Sequence, residues 1–187
     1  MNGGKFYEKG TSNFAYGDVY RNFCIGNLFI RIPIIPATPF LVYDMADIPI
    51  ILATLTLGFP CGIMVLVSVC LIQAFLMGGD GWVGFVMHFV STGAMTVIFA
   101  SICNRKPTIL RLALAAVAAT VAMTAVMIPM NLWLTVEFLG TPRQAVEQLL
   151  FPAIIPFNLI KAGLNSVLAV IALKFVNPLF KKIRNLS

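Results

Sequence analysis

Thirty consecutive residues, Ile48 to Met77, carry no charge. A run of this length is one long helix or two shorter ones, and it exceeds the roughly 20 apolar residues that a helix needs to cross a bilayer. The stretch "GFPCG" decides between them. Gly58, Pro60 and Gly62 break the helix, leaving a short piece over about 48–58 and a second over about 60–77. The rest of the chain is similar in character: 59% of its 187 residues are hydrophobic and 11% are charged, with a mean hydropathy of +0.93. A water-soluble fold of this size cannot hide so much apolar surface. Lipid as the solvent removes the difficulty, so the chain is read as an integral membrane protein. Its apolar runs lack the alternation of membrane strands, so the fold class is all-α, a polytopic helical bundle.

Further spans are expected over 82–103, 108–136 and about 148–176, with "MGGDGW" as a loop and "EFLGTPRQAVEQ" as a polar connector. Residues 1–31 differ: they carry Lys5, Glu8, Lys9, Asp18, Arg21 and Arg31, and "RIPIIPATPF" crosses three prolines after Arg31. They are read as a polar, atypical N-terminal segment ending in an irregular, membrane-adjacent stretch, ahead of a membrane domain over 32–187. The count is five helices plus an ambiguous first one. The net charge of +6 does not point to nucleic acid. Its cations sit at Arg105 and Lys106 in a short connector and at Lys181, Lys182 and Arg184 near the C-terminus, as cytoplasmic flanks do. The Asp80 loop, the 137–147 connector and Asp44–Asp47 then face outward. Cys24, Cys61, Cys70 and Cys103 are scattered, without a CxxC or Cys/His cluster, so no metal site is expected.

Polar residues inside spans cost free energy unless partnered, so they mark the places where function shows. In "FPAIIPFNLIKAGLNSVLAVIAL", Asn158, Lys161 and Asn165 follow at i, i+3 and i+7, on one helical face. No acid lies inside any other span, which favours a ligand role for Lys161 over pairing for packing alone. Asn131 and Trp133 follow Pro129 near the outer end of the fifth helix; Trp133 reads as an interfacial anchor, Asn131 as a partner of another helix or of a ligand. His88 and Gln73 read as helix–helix hydrogen-bonding residues, and Ala115/Ala119 and Ala118/Ala122 as close-packing positions. Asp47 reads as an N-cap, with Pro49 tolerated in the first helical turn. No catalytic motif or nucleotide-binding loop is present, so the chain is expected to be neither an enzyme nor a self-sufficient ATP-driven pump.

Over residues 32–184, "FLVYDMADIP", "GFPCG", "GGDGWVGFVMHFVSTGA" and "PFNLIKAGLNS" together resemble the substrate-binding S components of energy-coupling factor (ECF) vitamin transporters, in particular the riboflavin-specific type. The resemblance implies a six-helix subunit of the bacterial cell membrane with a vitamin pocket near its outer face. It also implies that Asn131, Asn158 and Lys161 hydrogen-bond the flavin, and Asn165, on the same helical face, is counted with them as a candidate substrate-binding residue. The loop 36–43, including Phe40 and Leu41, would form a lid, and apolar side chains would sandwich the ring. Riboflavin would be cargo rather than cofactor. Partners would be a transmembrane coupling subunit and two ATPases. Residues 1–31 depart from the family's long apolar first helix. The alternatives are an S component for another vitamin or for a flavin phosphate, and a structural membrane protein without a small ligand.

Overall fold

The computed structural model describes residues 31–33, 41–77, 81–103 and 108–186. Expectations for the 1–30 segment, for Phe40, for the Asp80 loop and for the Arg105–Lys106 connector lie outside the described residues. The chain enters through a two-stranded antiparallel ribbon, β1 (Arg31–Pro33) and β2 (Val42–Asp44), in which Arg31 pairs with Asp44. An irregular segment is the expectation here. The ribbon differs because two extended stretches flanking the proline-rich link satisfy each other's backbone groups where no helix can form.

Five helical rods follow. The first is α1 (Asp47–Leu57), an apolar helix of 11 residues. The second is α2 (Phe59–Leu71), extended by a π turn to Leu76. Gly58 divides these two at φ 99°, a conformation that glycine adopts without Cβ strain, and Pro60 lies in the first turn of α2. The break therefore falls where "GFPCG" predicts. Next comes α3 (Gly81–Cys103). The helix α4 (Ile109–Met130) starts on an N-cap, the Thr108 hydroxyl accepting from the Arg111 backbone N–H. It runs on through a π turn, Asn131–Thr135, and a last helical turn, α5 (Val136–Leu139), ending on Gly140 in the left-handed region.

The expected polar connector over 137–147 is much shorter. Only Gly140 to Pro142 lie outside helix, because α6 (Arg143–Leu149) already begins within it, supported by the Arg143–Glu147 pair at 2.9 Å. A π turn, Leu150–Ile154, joins α6 to α7 (Ile155–Leu186). The basic C-terminal stretch is likewise helical rather than a tail. Among the described residues, four rods are long and apolar enough to cross a membrane: Phe59–Leu76, Gly81–Cys103, Ile109–Leu139 and Arg143–Val176.

The packing inverts that of a water-soluble protein. Asp47, Thr92, Thr96, Asn165 and Ser166 are fully enclosed, while Met64, Val117, Phe151 and Phe175 stand outward with most of their surface exposed. Water would penalise this arrangement, whereas hydrocarbon favours it. Small residues let the rods approach: Ala115 and Ala119 of α4 meet Ala162 and Ala169 of α7 in the main core cluster. Ala118 and Ala122, the other spaced pair, are only half-buried. At the α1–α2 turn, a Cβ on Gly62 would collide with the Thr54 hydroxyl, so glycine is required there for close approach.

Candidate functional site

A cavity of about 360 Å³ opens at one end of the bundle. That end holds the start of α3, the last turns of α4, the Gly140 turn and the first turns of α7. It is opposite the end where α3 hands over to α4, whose connector carries Arg105 and Lys106. The volume is in the range of small-molecule sites, and the wall has their chemistry, apolar with a few converging polar groups. Met87, Met123, Met127 and Phe157 supply soft apolar surface, and Asn131, Asn158 and Lys161 supply the amides and the ammonium.

The two π turns that bound the cavity explain how these groups reach it. Pro129 removes a backbone donor from α4, and the turn after it widens to Asn131–Thr135. Asn131 is thereby turned inward, 5% exposed, with one amide hydrogen on the Met127 carbonyl at 2.8 Å. Pro152 sits within the second π turn and Pro156 opens α7. Asn158 then bonds the Ile154 carbonyl at 2.7 Å. In both cases that bond uses one of the amide's two hydrogens, so donor and acceptor capacity remains beyond it.

Behind the wall lies a second layer of polar groups. Lys161 Nζ donates to Asp44 Oδ2 at 2.8 Å, and Asp44 Oδ1 accepts from the Ala46 backbone N–H at 3.1 Å. Asn165 donates to the Asp44 carbonyl at 3.0 Å and to Asp47 Oδ2 at 2.7 Å, and its own oxygen accepts from the Tyr43 hydroxyl at 2.8 Å. Asp47 Oδ1 also accepts from Thr92 Oγ1 at 2.7 Å and lies 3.2 Å from His88 Nε2. Burial pushes the Tyr43 phenol up, as do the neighbouring Asp44 and Asp47 carboxylates, so the hydroxyl stays a donor. The "DMAD" segment thus ties the β2 strand, and with it the cavity-lining Leu41 and Val42, to α3 and α7.

Several expectations change on this geometry. Asp47 does not cap α1: the cap position is Ala46, and the Asp47 carboxylate is directed across to α3 and α7. A fully enclosed carboxylate needs several donors, and a cap supplies only its own backbone amides. Lys161 does have a carboxylate partner. A search of the spans for acids misses it because Asp44 stands on a strand just ahead of α1. Leu41, Asn131, Asn158 and Lys161 line the one cavity, whereas Asn165 lies behind Lys161 and makes no part of the wall. His88 makes its interhelical contact, to Asp47, and also faces the cavity. Gln73, expected to hydrogen-bond another helix, has its Nε2 buried with no hydrogen-bond partner among the described residues. Sequence reasoning missed Met87, Met123 and Met127, since methionines in apolar helices give no signal that distinguishes wall from lipid face.

Comparison with known proteins gives a consistent result. A family profile described as "ECF transporter, substrate-specific component" matches residues 23–173. A riboflavin transporter, RibU, of Streptococcus thermophilus is 26% identical over 176 residues, covering 87% of this chain and 81% of its own. A RibU of Staphylococcus aureus is 27% identical over 161 residues, covering 83% and 85%. A solved S component of a bacterial ECF transporter superposes with a TM-score of 0.73 at 26% identity, covering 88% of this chain and 94% of that one. With a profile match over most of its length, an inside-out helical bundle and a ligand-sized cavity at one end, this chain belongs to the substrate-specific components of ECF transporters.

Proposed function

We propose that this chain binds riboflavin in the cavity at the outer end of its bundle and delivers it inward as the S component of an ECF importer. The observation that carries the reading is the convergence of Asn131, Asn158 and Lys161 on one apolar cavity from two different helices. Riboflavin's ring system is flat, with apolar faces and a polar edge of nitrogen and carbonyl acceptors. Methionines and Phe157 suit the faces, and two amides and an ammonium suit the edge. Relatives that carry the name riboflavin transporter support the same choice.

In this reading riboflavin is cargo and no resident cofactor is required. Energy comes from a transmembrane coupling subunit and two ATPase subunits, since the chain has no nucleotide-binding loop of its own. Leu41 and Val42 contribute apolar surface to the cavity wall. Asn165 is a positioning residue: it holds the Asp44 backbone and the Asp47 carboxylate, and through Asp44 it seats Lys161.

The test is a titration of riboflavin fluorescence with the purified protein. Quenching that saturates at one vitamin per chain is expected, with Lys161→Ala weakening it at least tenfold. Absence of quenching, together with thermal stabilisation by a different vitamin, would replace riboflavin as the ligand.

A further inference from the structure

The charges around Lys161 bear on which flavin the cavity accepts. Among the described residues, the ionisable groups of the cavity wall are Lys161 and His88. Each is backed by a buried carboxylate: Asp44 at 2.8 Å from Lys161 Nζ, and Asp47 at 3.2 Å from His88 Nε2. Two carboxylates therefore stand behind one ammonium and one imidazole. A site built to hold a phosphate does the opposite and presents cations without compensation.

We propose that Asp44 is a specificity-determining residue: by compensating Lys161, it tunes the cavity to an uncharged flavin and against its phosphorylated form. The proposal rests on the riboflavin reading above and deepens it by naming the charge class of the substrate. Asp44 does not line the cavity, so it acts through Lys161 and through the field it adds. That field is not local. A cavity of about 360 Å³ is only about 9 Å across if taken as a sphere, so any anionic group inside it lies near Lys161. At an effective dielectric constant of about 20, one unit of charge at about 8 Å changes the affinity for a monoanion by roughly tenfold or more.

The experiment measures the affinities of riboflavin and of riboflavin 5′-phosphate for the unsubstituted protein, for Asp44→Asn, and for the double variant Asp44→Asn/Lys161→Gln. Asparagine keeps an oxygen for the Ala46 amide while removing the charge. The expected result is a shift of the riboflavin-to-phosphate affinity ratio by at least tenfold towards the phosphate in Asp44→Asn, with a return to the original ratio in the double variant. A purely structural role for Asp44 would weaken both ligands together and leave the ratio alone. An unchanged ratio in Asp44→Asn, with riboflavin still bound, overturns the assignment of Asp44 but not the riboflavin reading. If neither flavin binds the unsubstituted protein, both fall. Should the single variant fail to fold, the double variant keeps the test. It carries the same net charge as the original site, so a tenfold change in its ratio overturns the proposal.

Discussion

Replacing Asn165 by alanine removes a side chain that joins β2, α1 and α7 through hydrogen bonds. Its amide is fully enclosed and fully used: both hydrogens are donated, to the Asp44 carbonyl and the Asp47 carboxylate, and the oxygen accepts from Tyr43. The two neutral bonds contribute about 1 kcal/mol each and the bond to the carboxylate about 2, so about 4 kcal/mol is the upper figure. Interhelical hydrogen bonds in membrane proteins average only about 0.6 kcal/mol, because chains unfolded within the membrane find other partners, and three such bonds come to about 2. The upper end has more weight here. Asp47 and Asn165 are both completely buried, and Asn165 is no part of the cavity wall. A loss of about 3 kcal/mol is expected, or about a hundredfold in the folding equilibrium. Reversible unfolding in mixed micelles, without ligand, measures it. A loss below about 1 kcal/mol would refute the reasoning, since it would mean that the three partners re-pair without Asn165.

Asn131→Ala should behave in the opposite way: because its amide bonds the Met127 carbonyl within its own helix, unfolding should shift by less than about 1 kcal/mol while riboflavin binding weakens about tenfold. Equal losses of stability in Asn131→Ala and Asn165→Ala would contradict this division of roles. Gly62→Val places side-chain atoms against Thr54 at the α1–α2 crossing and should destabilise by about 1–3 kcal/mol, read from thermal unfolding in detergent. Both tryptophans of the chain, Trp82 and Trp133, meet Phe138 edge-on, at ring separations of 4.7 and 6.5 Å, and are more than half exposed at the cavity end. In liposomes their fluorescence should be quenched most strongly by labels placed at the headgroup level, and strongest quenching from the bilayer centre would place that end of the bundle wrongly.

The elements most legible in the sequence were those imposed by solvent and by backbone chemistry. A charge-free stretch with "GFPCG" inside it has to be two helices with a break, because glycine and proline act locally whatever surrounds them. The spacing of Asn158, Lys161 and Asn165 likewise gave their common helical face. It did not give depth along the helix. One turn beyond Lys161 the same face passes from cavity wall into the second layer, so Asn165 serves the protein rather than the ligand. Connector lengths were less legible, since "PRQAVEQ" is polar enough for a loop, yet it is mostly helical and runs through a π turn into α7.

By itself, the sequence determined the solvent, the helical class, the break at "GFPCG" and the common helical face of Asn158 and Lys161. Each follows from composition or from spacing along a single helix. Only the tertiary structure decided the role of "DMAD". Asp44 and Asp47 lie more than a hundred residues from Lys161 and Asn165 in the chain, and no periodicity along one helix records a contact between a strand and a distant span. The carboxylates that appear in the sequence as marks of a helix start are, in the folded chain, buried charges: Asp44 holds Lys161 and Asp47 holds Asn165. In lipid, a buried cation requires a partner, and the fold supplies it from outside the spans.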